Sequence, residues 1–151
     1  MADIQPRGDL MLPSKDKLTV CFAHVAYQLR QRFLAHDTGI DCFEVRDAAA
    51  LEERIGAADV LVISGLWRND LLARAKRLRF IQSIGAGTDQ FSRDALRQQG
   101  VRLASARGVN ARAVSEHVVA LILALSRKLP EARDNQVKHV WRGMIGDLAR
   151  R

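Results

Sequence analysis

The 151-residue chain has little of what several protein classes require. Its longest apolar run, residues 118–125, has eight members, whereas a membrane-spanning helix needs roughly 18. Two cysteines, Cys21 and Cys42, form neither a disulfide framework nor a C-x-x-C metal clip, and no histidine has a partner at metal-ligand spacing. The first 17 residues mix charges with prolines and a glycine, unlike a signal peptide. We therefore expect a cytoplasmic protein with no membrane segment and no metal.

Aromatic residues are also few, only eight, although the chain is basic with a net charge of +7. The arginines are spread along the sequence, and the densest basic group, residues 74–79, leads into an apolar run. Nucleic-acid-binding surfaces combine a basic stripe with interleaved aromatic residues. We therefore expect no nucleic-acid partner.

Short apolar runs alternate regularly with amphipathic stretches. The runs begin at residues 18, 40, 59, 80 and 101, so successive starts are 22, 19, 21 and 21 residues apart. This alternation predicts βαβ units and a parallel sheet with helices on both faces. The sequence thus predicts an α/β fold over residues 18–108, a flavodoxin-like doubly wound parallel sheet of five strands. The predicted helices cover residues 25–36, 48–55, 70–76 and 93–99.

A long helix is predicted after the sheet, from Ala111 to about Leu129, with Asn110 as its N-cap and Pro130 beyond its end. Its apolar residues cover two opposite faces, and an all-apolar helix is normally buried on every side. We therefore expect a second domain or a second subunit to cover one of them. The outward face comprises Val119, Ala120, Leu123 and Ala124, and a shorter helix is predicted around residues 136–141.

The most informative loop is residues 83–89, Ser-Ile-Gly-Ala-Gly-Thr-Asp, between a predicted strand and a predicted helix. It begins like the dinucleotide fingerprint G-x-G-x-x-G, but Gln90 occupies the third glycine position and Arg107 stands where an acid is expected. Such a turn nevertheless exposes backbone N–H groups that suit a carboxylate. Two interpretations stay open: an anion site around Ala86 and Gly87, or a tight turn that binds nothing.

Two further positions are candidates for the same site. A turn containing Gly65 and Leu66 follows the third predicted strand and therefore opens onto the same sheet edge. Asn110 is either a simple helix cap or a ligand-binding group. The neighbours Ser115, Glu116 and His117 do not face one another on a helix and cannot form a catalytic triad. No catalytic residue is predicted in this chain.

Two blocks of the sequence resemble the D-isomer-specific 2-hydroxyacid dehydrogenases. The first is residues 80–89, and the second, within residues 100–121, contains Val109-Asn110 and Val114-Ser115-Glu116-His117. The resemblance implies an NAD- or NADP-dependent oxidoreductase that interconverts D-2-hydroxy acids and 2-oxo acids. Its flavodoxin-like substrate-binding domain precedes an inserted Rossmann domain. The implied organisation is a flexible N-terminus (1–17), the substrate-binding domain (18–108), and a connecting helix that opens the cofactor domain (109–151).

The resemblance also assigns roles to residues. It implies that backbone N–H groups at Ala86 and Gly87 bind the substrate carboxylate and that the loop with Gly65 and Leu66 shapes the substrate pocket. It further implies that Asn110 reaches the substrate or cofactor and that Val114 lies near the nicotinamide.

The family's cofactor fingerprint and its catalytic Arg, Glu and His come after the segment that resembles this chain. The resemblance therefore implies a truncated, inactive chain that binds no cofactor alone and forms a homodimer through helix 111–129. Two alternatives remain open, a stand-alone module that binds small carboxylates and a dimerisation module without catalysis.

Overall fold

The computed structural model describes residues 12–141. Five parallel strands form one sheet in the order β2-β1-β3-β4-β5. This is the flavodoxin-like order, so the predicted fold class is confirmed, and each strand begins within one residue of its predicted start. The strands are β1 (Thr19–Ala23), β2 (Asp41–Val45), β3 (Val60–Ile63), β4 (Phe80–Ser83) and β5 (Arg102–Ser105).

The helices between the strands are shorter than predicted. The segment predicted as helix 25–36 is helical only over α1 (Leu29–Leu34), because the Nδ1 atom of His24 accepts hydrogen bonds from the backbone N–H groups of Ala26 and Tyr27 and shapes a turn there. The segment predicted as helix 70–76 is a 3-10 turn, Asn69–Ala73. The other two helices are α2 (Ala48–Arg54) and α3 (Arg93–Gln99), each N-capped by a side chain, from Asp47 and Ser92.

Two hydrophobic clusters cover the two faces of the sheet. The larger packs the strands against α2, the 3-10 turn and α3, and the smaller packs α1, through Leu29 and Phe33, against β1 and β2. Cys21 and Cys42 are buried free thiols. Burial raises the pKa of Cys21 to about 12.

A partly buried ion pair lies at the amino edge of the sheet. The Asp59 carboxylate is almost fully buried and accepts a hydrogen bond from the backbone N–H of Thr19 at 3.0 Å. The Arg77 guanidinium donates to both carboxylate oxygens of Asp59, at 2.7 and 3.2 Å. The start of β1 and the segment before β4 are thereby fixed to the residue that precedes β3.

The chain divides between Arg107 and Gly108 into two compact units. The second unit contains two helices, α4 (Ala111–Ser126) and α5 (Leu129–Val137). The predictions of one helix to Leu129 and of another over 136–141 are therefore wrong in their bounds. Pro130 lies in the first turn of α5, a position that tolerates proline, and Lys128 separates the helices with a φ of 52°.

Parts of the predicted terminal segments, residues 1–11 and 142–151, lie outside the described residues. Within the described part of the predicted flexible N-terminus, Lys15–Lys17 form a 3-10 turn. No helix between residues 12 and 141 is long and apolar enough to cross a membrane.

Candidate functional site

The two glycine-containing turns lie side by side at the carboxyl edge of the sheet. Strands β3 and β4 are adjacent, and their last residues, Ile63 and Ser83, are paired in register. The turns that follow, with Gly65 and Gly87, therefore leave the same edge from neighbouring strands, as predicted. In doubly wound sheets this edge is where ligands bind.

In the turn after β4, the peptide geometry directs the N–H group of Ala86 outward. The Gly85 carbonyl accepts hydrogen bonds from the Ser83 hydroxyl at 3.3 Å and from the Ala106 N–H at 3.1 Å. Because the peptide is planar and trans, the Ala86 N–H points opposite to that carbonyl. Ala86 and Gly87 are exposed, and the N–H groups of residues 85–87 have no acceptor within residues 12–141. The turn therefore presents free donors suited to a small anion.

Gly87 is not required by the backbone conformation. Neither Gly85 nor Gly87 has a φ in the left-handed region, and a Cβ added at Gly87 would meet only Asp89 Oδ2, at 3.6 Å. That is an ordinary van der Waals distance. A Cβ is therefore compatible with the backbone at this exposed position beside the free N–H groups.

The turn after β3 differs from its neighbour in its hydrogen bonding. The Ser64 hydroxyl accepts the Gly65 N–H at 2.6 Å, so this N–H is already occupied. A Cβ at Gly65 would meet nothing within 4 Å, and Leu66 is half-buried against the larger core. Gly65 and Leu66 can therefore shape a pocket wall, whereas the N–H donors come from the turn after β4.

Asn69 ties the two loops together. Its Oδ1 accepts hydrogen bonds from Trp67 Nε1 at 3.1 Å and from the Ser92 N–H at 2.9 Å, while its Nδ2 donates to the Gln90 carbonyl at 3.2 Å. Beneath these bonds the ring of Trp67 packs on Phe91 with centroids 5.3 Å apart. The loops after β3 and β4 are thus held as one unit. The sequence analysis missed all three of these side chains.

A surface charge network lies beside this connection. Arg68 donates to Asp70 and to Glu52, each at about 3 Å, and Arg74 also pairs with Glu52. The hydrogen bond from Arg68 lowers the pKa of Asp70 and raises that of the guanidinium itself. These exposed pairs leave Arg68 with little capacity for a further anion.

His24 lies at the same edge, where the strand order reverses. Ala23 is paired with Ile63, so His24 follows β1 next to Ser64. Two backbone N–H groups donate to its Nδ1, at 2.8 and 3.0 Å, which places the proton of the neutral ring on Nε2. The ring also stacks on Tyr27 at 4.2 Å. No role for His24 was predicted from the sequence, where it has no partner at metal-ligand spacing.

Asn110 and Val114 belong to the second unit. Asn110 occupies the N-cap position of α4, but its side chain makes no capping hydrogen bond. Its side-chain amide therefore does not cap the helix. Val114 is 58% exposed in the first turns of α4. Along the part of the chain that the structure describes, no three His, Cys, Asp or Glu side chains are close enough to hold a metal ion.

The first unit is therefore a flavodoxin-like α/β domain whose carboxyl edge carries a turn with exposed backbone N–H groups. The profile of the D-isomer specific 2-hydroxyacid dehydrogenase catalytic domain matches residues 20–143. The chain belongs to this dehydrogenase family, as its two sequence blocks indicated.

Curated dehydrogenases are similar to this chain in sequence. The chain is 33% identical over 129 residues to glyoxylate/hydroxypyruvate reductase B of Pectobacterium atrosepticum, covering 84% of this chain and 39% of that protein. It is 41% identical over 100 residues to erythronate-4-phosphate dehydrogenase of Salinibacter ruber, covering 64% of this chain and 26% of that protein. The chain thus spans less than half the length of the curated relatives it matches.

The fold has solved counterparts. A D-isomer specific 2-hydroxyacid dehydrogenase family protein from Aeromonas salmonicida superposes with a TM-score of 0.68 at 23% identity, covering 87% of this chain and 43% of that one. At this level of identity the similarity establishes the fold.

Proposed function

We propose that this chain forms the substrate-binding portion of an NAD- or NADP-dependent oxidoreductase that interconverts D-2-hydroxy acids and 2-oxo acids. The observation that carries the proposal is the turn at residues 85–87, whose N–H groups have no acceptor among the described residues and lie at the ligand-binding edge. Ala86 and Gly87 would bind the substrate carboxylate. Gly65 and Leu66 would limit the space beside it.

A direct binding measurement tests this assignment. The purified chain is titrated with glyoxylate while backbone amide resonances are followed by NMR. We expect shifts at residues 85–88 and their loss in Gly87→Val, because the branched side chain obstructs the turn. The matched control is Ala57→Val, an exposed substitution next to the opposite edge of the sheet. Equal glyoxylate binding by Gly87→Val and wild type would contradict the assignment.

We further propose that these 151 residues do not transfer hydride and bind no cofactor alone. The printed sequence contains one Gly-x-Gly, at residues 85–87, and Gln90 stands at its third glycine position. Asn110 and Val114 would contact the substrate and the nicotinamide once a cofactor domain is present. We expect no change in NADH absorbance with glyoxylate or pyruvate and no saturable NADH binding. Turnover that persists through repurification would overturn this part of the proposal.

Segment 111–129 is proposed as a homodimer contact. None of the residues of α4 is buried, and apolar side chains project from all around it, with Val118, Val119, Ile122 and Leu123 each about half exposed. Isolated domains rarely expose apolar patches larger than a few hundred Å². A two-fold contact with a second copy would remove this surface from water.

A further inference from the structure

A basic cleft lies within the first unit, between α3 and the free edge of β5. It has a volume of about 430 Å³, and four arginines line it together with the hydroxyl residues Thr88 and Ser105. The arginines are Arg93, Arg97, Arg102 and Arg107. Leu103 of β5, which is half-buried, contributes apolar surface to the lining. These arginines are dispersed along the sequence and cluster only after folding.

The positive charge of the cleft is poorly compensated. No acidic residue lines it. The nearest ion pair, between Arg97 and Asp94, is 3.9 Å long and almost fully exposed, a type of contact that contributes little. Within residues 12–141, Arg102 and Arg107 form no salt bridge. Four arginines thus line one cleft with almost no acidic partner.

One of these groups is already oriented by the neighbouring loop. Arg93 donates from an η nitrogen to Thr88 Oγ1 at 3.0 Å, which directs its guanidinium toward the loop after β4. A guanidinium presents several N–H donors in a planar fork that matches the oxygens of a phosphate. Hydroxyl groups add single donors of the kind that phosphate oxygens also accept.

We propose that this cleft binds the phosphate group of a small phosphorylated metabolite, whose carbon skeleton contacts the half-buried Leu103. Four cations exceed what a single carboxylate requires, whereas a phosphate carries up to two charges and several acceptor oxygens. The site adjoins the proposed carboxylate site, because Ala86 belongs to both.

The same arginines have a structural alternative. Because β5 is an edge strand, charged side chains on it would also prevent edge-to-edge aggregation. Lysine serves that purpose as well as arginine, whereas only arginine offers the planar fork. A lysine substitution therefore separates the two roles.

The experiment measures binding of inorganic phosphate, glycerol 3-phosphate and glycerol to the full chain by isothermal titration calorimetry. We expect both phosphates to bind, more weakly as salt is raised, and glycerol to show no binding. The double variant Arg102→Gln/Arg107→Gln is expected to weaken phosphate binding by at least about tenfold. Arg102→Lys should also weaken it, although it keeps the charge.

The control is Arg32→Gln, which removes one exposed charge from α1 at the far side of the sheet. It should leave phosphate binding unchanged. Tighter binding of glycerol 3-phosphate than of phosphate identifies a phosphate ester as the ligand, and equal binding identifies free phosphate. Absence of phosphate binding, an equal effect of Arg32→Gln, or full binding by Arg102→Lys would overturn the proposal. Phosphate binding is also measured in Gly87→Val, which is altered at the turn and not in the cleft lining. It should be unchanged, and its loss would assign the phosphate to residues 85–87 and overturn the proposal.

Discussion

The Arg77 guanidinium donates two hydrogen bonds to the buried carboxylate of Asp59, at 2.7 and 3.2 Å. Arg77 is half exposed, whereas the side chain of Asp59 is only 4% exposed. Removal of the guanidinium would leave a buried carboxylate with one remaining donor, the Thr19 N–H. Breaking a buried pair is far more costly than breaking a surface pair.

We predict that Arg77→Ala lowers the free energy of unfolding by about 2–3 kcal/mol, the range of a lost hydrogen bond to a charged group. Urea denaturation followed by circular dichroism measures the change. The control is Arg46→Ala, which breaks the more exposed pair with Glu44 and should cost less than about 1 kcal/mol. Equal effects of the two substitutions would show that the buried pair contributes no more than a surface one.

The Asn69 side chain should matter to both loops at the carboxyl edge. We predict that Asn69→Ala lowers the free energy of unfolding by about 1–2 kcal/mol, because it removes three hydrogen bonds from a partly exposed position. It should also weaken glyoxylate binding severalfold, because the turn at residues 85–87 is less well preorganised. Measurements at a temperature where both proteins are folded separate the two effects.

Gln98→Ala is the control for this experiment, since it truncates an exposed amide side chain on α3. We expect it to change neither property. Unchanged glyoxylate affinity in Asn69→Ala would show that the two loops hold their positions independently.

Features of the fold that depend on neighbouring residues were predictable from the sequence, whereas contacts between distant residues were not. Strand starts were predicted within one residue because continuous apolar runs such as residues 60–63 are buried in a parallel sheet. The start of α1 was wrong because one side chain, His24, shapes the preceding turn. Asn69 was missed because its partners Gln90 and Ser92 are more than 20 residues away. The spacing of apolar residues along the chain does not indicate a contact between residues so far apart.

Cys21 should resist thiol reagents and destabilise the fold at alkaline pH. Its pKa is raised by burial to about 12, whereas a thiol in an unfolded chain titrates near about 8.5. Between these values the native state retains a proton that the unfolded state loses, so stability falls as pH rises from about 9 to 12.

We predict that Cys42→Ser, which leaves Cys21 as the single cysteine of the chain, reacts with Ellman's reagent only on the timescale of unfolding. The same variant in 6 M guanidinium chloride, where the thiol is accessible, provides the reference rate. Fast reaction under native conditions would contradict the burial of Cys21.

The proposed dimer contact is tested by sedimentation equilibrium. We expect the wild-type chain to self-associate at tens of micromolar and Leu123→Glu to be monomeric, because a charge on this face opposes burial. Gln136→Glu introduces the same charge at an exposed polar position of α5 and should leave the association unchanged. A wild-type chain that remains monomeric and soluble would rule out the contact.

The order of the strands has a consequence for synthesis on the ribosome. The interior strand β1 emerges first, but one of its two neighbours, β3, follows about 40 residues later, after β2 has paired with its other side. Until β3 emerges, β1 can therefore pair on one side only, with β2. The edge strand β5 is complete at Ser105, before Ala111 begins the apolar helix. Since domains fold as units in order of synthesis, that helix leaves the ribosome when the sheet that precedes it is already able to form.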